Sequence, residues 1–371
     1  MPTVVSNEPS HADNLREHLH GAIAALLEAP WVSIAPARVE QLALEVFHWQ
    51  RVHNEAYGRI ADATLDGRSP CSLDEIPAVP TEVFKHARVA CFAPERTIRI
   101  FRTSGTTRDL RGVHAFDDLS LYALGAVITA RHFLLPRARY RLVLLAPDER
   151  EVPDSSLSFM LARFAEAWGG GDFCVRSGVL DVPHVRACLG AAREEGVPVA
   201  LLGASYGFVH LMDALDETEP LPPGSVVMPT GGFKGRSREL APDDFHARLR
   251  QCFHVHRGQI VGEYGMTELS SQAYEVHTDG TPPGTYRAPP WMVVRAVDPT
   301  TLAPLPPGEV GLLRVVDLAN LGSAVAIQTS DLGRVTAAGF EVHGRAPGAS
   351  PRGCARALDV VLSGATSDGP W

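Results

Sequence analysis

The sequence predicts an α/β protein built on a largely parallel sheet, and three observations predict it. Through the middle of the 371 residues, short apolar runs of strand length alternate with longer stretches of helical periodicity. Ahead of that alternation lies a segment that is helical in pattern throughout. Behind it, from about residue 284, the runs shorten and are broken by Pro-Pro and Gly, which adds a smaller antiparallel or barrel-like unit.

The elements follow in order. Across 12–62, Leu15, Leu19, Ile23, Leu26 and Leu27 fall on one helical face, and Val39, Leu42, Leu44, Val46 and Phe47 continue the pattern. Pro70, Pro77 and Pro80 then break it and lead through a loop to Val83-Phe84-Lys85. Buried strands are expected at 97–102, 141–146, 173–177 and 197–203, with helices at 117–135, 157–168, 183–195 and 206–216 between them. Three short strands are expected within 284–345. The tail from about 346 is rich in small residues and is expected to pack loosely at its end.

Composition bounds the function. No apolar run approaches the roughly 18–20 residues of a membrane helix, and the polar, acidic N-terminus does not read as a signal peptide. The net charge of −9 argues against a general nucleic-acid binder. Six cysteines without paired spacing (Cys71, Cys91, Cys174, Cys188, Cys252, Cys354) read as reduced thiols, so a cytoplasmic location is expected. Of 34 basic residues only Lys85 and Lys234 are lysine, which marks both as positions where a compact ammonium matters, unless they survive by chance.

Three stretches carry chemistry. In RIFRTSGTTRD (99–109) a strand runs into Thr103, Ser104, Gly105, Thr106 and Thr107, a turn that offers successive N–H groups and hydroxyls with little bulk. Polyphosphate needs that arrangement, and Arg102 and Arg108 add positive charge. An ordinary Ser/Thr-rich turn has the same composition. In GEYGMTELSSQ (262–272), Tyr264 offers a ring that can stack on a base, Thr267 a hydroxyl and Glu268 a carboxylate for Mg²⁺. The same residues suit a polar turn that caps a helix with Thr267. In QTSDLGRV (328–335), followed by HGRAPG (343–348), Asp331 can accept from both hydroxyls of a ribose with Arg345 beside it.

The order TSGTT, YGMTE, TSDLG, GR, with PTGGFKGRSREL (229–240) lying before YGMTE, resembles the adenylate-forming superfamily of acyl-CoA synthetases and nonribosomal adenylation domains. Val83-Phe84-Lys85, GGFKGRS, YGMTELSSQ and the late Arg352-Gly353-Cys354 are most similar to the acyl-protein synthetases of bacterial luminescence, also called long-chain-fatty-acid–luciferin-component ligases. The resemblance runs from about 75 to 356. It implies a large domain with two α/β sheet subdomains and a smaller β-rich, barrel-like lobe. The segments would be a helical lead at 1–95, a nucleotide- and acyl-binding core at 96–281, the β-rich lobe at 282–345 and a short tail at 346–371.

The resemblance also implies an ATP-dependent acid–thiol ligase, with ATP and Mg²⁺ as cofactors. Thr103 and Ser104 to Thr107, with Arg108, would hold phosphate. Gly231, Gly232, Phe233 and Tyr264, with Gly265 and Met266, would hold adenine. Thr267 and Glu268 would serve phosphate and Mg²⁺, and Asp331 and Arg345 the ribose. The acid would be fatty or aromatic, and the acyl group would pass to a thiol: the chain's own Cys354, flanked by Arg352 and Arg356, a partner reductase or a carrier. No nucleic-acid or membrane partner is expected.

Two departures stand out. The phosphate loop ends in Arg108 where the family usually has glycine, and only 26 residues, none of them lysine, follow Arg345. A full mobile C-terminal domain with its lysine is therefore expected to be absent. Preorganised charge of that kind is worth about 10²–10³ in rate, so Lys234, Lys85 or Arg108 would have to supply it.

Two rivals complete the reading. The chain can be a nucleotide- or acyl-AMP-binding partner without complete catalysis. Alternatively, GASYG (203–207) can be a nucleophile elbow, with Ser205, Asp331 and His343 in hydrolase order. Cys252, His254 and His256 in QCFHVHRG would fall on one face of a strand as three metal ligands.

Overall fold

The computed structural model of the chain describes residues 11–103, 110–232, 240–346 and 359–361. The helical lead resolves into α1 (His11–Glu28), α2 (Pro36–His53) and α3 (Glu55–Leu65). Pro36 opens α2, where its missing N–H costs nothing, and the Asn54 side chain accepts from Tyr57 N to cap α3. Two-residue strand β1 (Val79–Pro80) and a 3₁₀ turn at Thr81–Lys85 follow.

Next come β2 (Arg99–Arg102), β3 (Val113–Phe116), α4 (Ser120–Phe133), β4 (Arg141–Pro147), α5 (Ser156–Ala167), β5 (Asp172–Arg176) and β6 (Val179–Leu180). Then come α6 (Val182–Glu195), β7 (Val199–Ala204), α7 (Ser205–Ala214), β8 (Val226–Thr230) and α8 (Pro242–Phe253). The last strands are β9 (Glu263–Tyr264), β10 (Ala273–Glu275), β11 (Thr285–Arg287), β12 (Met292–Val297), β13 (Val310–Asp317), β14 (Ala326–Thr336) and β15 (Gly339–Arg345).

One hydrogen-bonded path runs β12-β13-β14-β15-β11-β10-β9-β8-β7-β4-β5-β6, with β1 beside β14. Its β5–β4–β7–β8–β9 stretch is parallel, and its other ladders along the path are antiparallel. The segment at 97–102 is a strand as expected, but β2 pairs with β3 in a separate two-stranded ribbon.

Alternation along the parallel strands explains how the sheet is covered. Leu142 and Leu144 of β4, Ala200 and Leu202 of β7, and Met228 of β8 join the core beneath α4 and α5, with Phe159 and Phe164. Val143, Leu145, Leu201 and Val227 join the opposite core, with Leu189 of α6, Phe208 of α7 and Leu249 of α8. A third core packs Ile23, Leu27, Leu42, Val46 and Phe47 of the first helices against Trp291, Leu313, Val315 and Ile327. Gln50 joins the same parts, donating to the carbonyls of Asn320 and Leu321 and accepting from Val325 N.

The stretch 328–335 lies within β14, one of the strands expected in this region, and is extended through a register shift at Leu332/Gly333. One local expectation changes. Cys252 ends inside α8 and His254 is its left-handed cap (φ 51°), so residues 252–256 form no strand face. The three do not gather as ligands, and His256 instead caps the turn that follows.

Candidate active site

Strand β8 ends at Thr230, where the Gly231-Gly232 pair begins. Gly231 has φ 63°, the left-handed region that glycine enters without strain. Ser205, first residue of α7, donates from Oγ to the carbonyls of Gly231 (2.7 Å) and Thr230 (3.2 Å), fixing that turn. Thr230 pairs with Glu263 of β9, both through the strand register and through a hydrogen bond from Thr230 Oγ1 to Glu263 Oε2. The glycine pair and the Tyr264-Gly265-Met266-Thr267-Glu268 segment therefore leave the sheet side by side.

The second segment is held tightly. A Cβ at Gly265 would displace the Glu263 carboxylate from its place beside Thr230. Met266 O accepts from Leu269 N (3.1 Å), closing a turn, and β10 rather than a helix follows. His114 Nδ1 lies 2.8 Å from Thr267 O. A carbonyl only accepts, so Nδ1 carries the proton. Burial pushes the imidazole pKa down to about 4, which keeps the ring neutral. Asn320 donates to Glu268 O at 2.9 Å. Buried Asp317 accepts from Ser270 N, Ser271 N and Ser271 Oγ, anchoring the far end; burial raises its pKa despite those bonds.

Glu268 is buried, at 6% exposure, and its carboxylate lies near Gly112, the residue that pairs with Thr103. Thr103 and Gly112 exchange backbone and side-chain bonds, Thr103 N to Gly112 O (3.0 Å) and Gly112 N to Thr103 Oγ1 (2.9 Å). A Cβ at Gly112 would stand 3.0 Å from the Thr103 methyl and 3.6 Å from Glu268 Oε1. Glycine at 112 is what lets these two segments meet.

On the other side, Tyr264 Oη donates to Asp331 Oδ2 at 3.0 Å, while the Tyr264 ring packs edge-on against Phe340 at 5.3 Å. Burial, then the neighbouring Asp331, raises the phenol's pKa well above its ordinary value. Asp331 faces Arg345 across β14 and β15, with Arg345 Nε 3.7 Å from Oδ1. The Arg345 side chain is 82% exposed, so this ion pair contributes little by itself. Burial raises the pKa of Asp331, and the Tyr264 hydroxyl and Arg345 work against that rise.

Of the residues singled out from sequence, Thr103, Gly231, Gly232, Tyr264, Gly265, Met266, Thr267, Glu268, Asp331 and Arg345 are described, and these contacts link Tyr264 to Asp331 and Arg345 and set the Gly231 turn beside the Tyr264 segment. Ser104 to Arg108, Phe233, Lys234 and Cys354 lie outside the described residues. Lys85 is engaged with Glu82 at 3.0 Å. Sequence reasoning missed His114, Thr230, Glu263, Asp317 and Asn320. Their signal was weak, because each acts by holding a backbone segment. The hydrolase constellation does not form: Ser205 is committed to backbone carbonyls, Asp331 to Tyr264 and Arg345, and His343 to Glu341 at 3.3 Å.

Residues 40–363 match the family described as acyl-protein synthetase, LuxE. The chain belongs to that family. Relatives of this synthetase family member include the long-chain-fatty-acid–luciferin-component ligase of Vibrio harveyi, 24% identical over 319 residues, 83% of this chain and 81% of that protein. The protein of the same name from Aliivibrio fischeri is 25% identical over 304 residues, 80% of this chain and 79% of that one. The synthetase fold is that of adenylate-forming enzymes. It matches an open conformation of 2-hydroxyisobutyryl-CoA ligase, in complex with 2-HIB-AMP and CoA, with a TM-score of 0.60 at 14% identity, covering 86% of this chain and 75% of that one. ATP-bound MatB from Rhodopseudomonas palustris matches with a TM-score of 0.50 at 16% identity; the match covers 66% of this chain and about half (47%) of that one. Among the described residues, no helix is long and apolar enough to cross a membrane.

Proposed function

We propose that this protein joins a carboxylic acid to AMP at the expense of ATP and then passes the acyl group to a thiol. The observation that carries the reading is the contact series Tyr264–Asp331–Arg345, with Glu268 of the same strand-end segment near Gly112 and the Gly231 turn beside it. Membership of a family whose curated relatives are named ligases supports it.

The chemistry follows from the cleft. A carboxylate oxygen attacks the α-phosphorus of ATP, the bond to the bridging oxygen breaks, and pyrophosphate leaves with that electron pair. The protein must hold two anions together in line. Asp331, fixed by Tyr264, accepts from the ribose hydroxyls, and Gly231 and Gly232 leave a flat surface for the base. The N–H groups and hydroxyls from Thr103 onward receive phosphate oxygens.

The donor set also fits Mg²⁺. The carboxylate of Glu268 and the hydroxyl of Thr103 are hard oxygen ligands that both lie near Gly112, and one carboxylate plus substrate phosphates is how such sites are usually filled. Bound there, the cation would neutralise phosphate charge. In the second step a thiolate attacks the acyl carbonyl carbon and AMP leaves as the anion. Cys354, between Arg352 and Arg356, is the acceptor proposed within the chain, ahead of a reductase or carrier partner. The acid is fatty or aromatic.

Single-turnover mass spectrometry tests both steps. Protein, ATP, Mg²⁺ and a panel of fatty and aromatic acids should give AMP and acyl-AMP with one class of acid, and a covalent acyl adduct that Cys354→Ala removes. AMP formation indifferent to every acid would reject acid activation, and an adduct surviving in Cys354→Ala would move the acceptor elsewhere.

A further inference from the structure

A second cluster of chemistry-bearing side chains lies at the far end of the parallel sheet from the proposed cleft. Asp172 opens β5, whereas the cleft is built where β8 ends at Thr230. Helix α6 packs on β4 and β5, and its His184 and Cys188 stand four residues apart, hence on one face. His184 Nε2 is 3.7 Å from Cys188 Sγ and 3.6 Å from Asp172 Oδ1, and the three ligand atoms all lie within 4.8 Å of one another. We infer that Asp172, His184 and Cys188 bind one divalent transition-metal ion, zinc by the chemistry of the set, with a fourth position open to water.

The geometry is already close to that of a bound ion. Zinc bonds of about 2.3 Å to sulfur and about 2.0–2.2 Å to nitrogen and oxygen set tetrahedral edges of roughly 3.4–3.6 Å. Two of the edges here are within a few tenths of an ångström of that range. The mixture of soft sulfur, imidazole nitrogen and one carboxylate is a zinc set rather than a calcium or magnesium set.

Charge points the same way. Cys188 is 3% exposed and stands beside Asp172 and His184. Thiolate, carboxylate and neutral imidazole balance a divalent cation, and the further cation Arg141, beside both Asp172 and Cys188, is itself paired with Glu195. On binding, the Cys188 proton leaves to solvent and Sγ takes the metal bond. Arg141, whose Nε is 3.6 Å from Asp172 Oδ2, already holds that carboxylate from one side and pairs with Glu195 on the other. It fixes Asp172 without occupying the atom that faces His184. The ion would tie α6 to the opening of β5, away from the nucleotide cleft.

The test uses full-length, untagged protein, stripped with chelator, reduced and free of nucleotide, titrated with Zn²⁺ and separately with Co²⁺. The expected result is one Zn²⁺ per chain retained through gel filtration, a raised midpoint of thermal unfolding, and a thiolate-to-cobalt charge-transfer band. Cys188→Ser should abolish the band and weaken Zn²⁺ at least about tenfold, the scale that even loss of a hydrogen bond to a ligand reaches, and His184→Ala should weaken it similarly. Cys252→Ser serves as the control and should leave binding unchanged. Retention of no zinc, or equal retention and an unchanged band in Cys188→Ser, overturns the proposal.

Discussion

The Tyr264 hydroxyl donates to Asp331 Oδ2 at 3.0 Å, joining a strand-end residue at the sheet's centre to the bulged middle of β14, sixty-seven residues later. The bond sets the direction in which the other carboxylate oxygen points. Asp331→Ala is therefore expected to weaken ATP about 10–100-fold, the range for a lost hydrogen bond to a charged group. Tyr264→Phe, which keeps the ring, should cost a few-fold. Calorimetric titration with ATP checks both, and equal losses from the two variants would show that the carboxylate makes no contact of its own.

Glu268 and Thr103 both lie near Gly112, and the proposed function gives the Glu268 carboxylate a cation shared with phosphate. Glu268→Gln should lower kcat about 10²–10³-fold and raise the Mg²⁺ concentration needed for half-maximal rate. A Mg²⁺ titration of both proteins measures this. An unchanged Mg²⁺ dependence would remove the cation from Glu268.

These two relationships also mark how far the sequence could be read. The first helices and the strands at 141–146 and 197–203 were legible because their apolar spacing is set by one dominant face, as in Leu19, Ile23 and Leu27, or by burial on both faces, as in Val143 and Leu144. Strand β8 was missed because Pro229 interrupts a five-residue run, and the proline is tolerated so near the strand's end. Helix α8 was missed because its polar face outweighs Phe245, Leu249 and Phe253. At the candidate site, motif order named Tyr264 and Asp331 but could not reveal that they touch. His114 and Asp317 were invisible because a residue that holds a backbone segment leaves no spacing pattern. The Cys252–His256 idea failed because spacing on a strand was assumed where a helix ends.

His114 gives the fold a pH dependence with a definite sign. Its folded pKa of about 4 lies below the ordinary 6.5, so between those values the unfolded chain binds the extra proton. Stability is intact above about pH 6.5 and falls as pH drops toward 4, by up to about 3 kcal/mol from this group. Urea unfolding of wild type and His114→Gln at pH 7 and pH 5 checks it. The variant should be less stable at pH 7, and its stability should fall less on acidification. Parallel pH profiles would mean that His114 is not the group responsible.

Ser205 separates the hydrolase reading from the positioning one. Its hydroxyl spends its proton on Gly231 O, so a fluorophosphonate probe should leave the protein unlabelled. Ser205→Ala should loosen the glycine turn and weaken ATP about 2–10-fold, the worth of one neutral hydrogen bond of about 0.5–1.5 kcal/mol. Stoichiometric labelling at Ser205 would overturn this.

Acid-dependent exchange of labelled pyrophosphate into ATP is the decisive measurement, because exchange requires one cleft to hold base, ribose, phosphates and acid at once. Exchange is expected only with Mg²⁺ and a suitable fatty or aromatic acid, and should fall at least about tenfold in Asp331→Ala. Absence of exchange across the whole acid panel, with ATP still bound, would contradict acid activation.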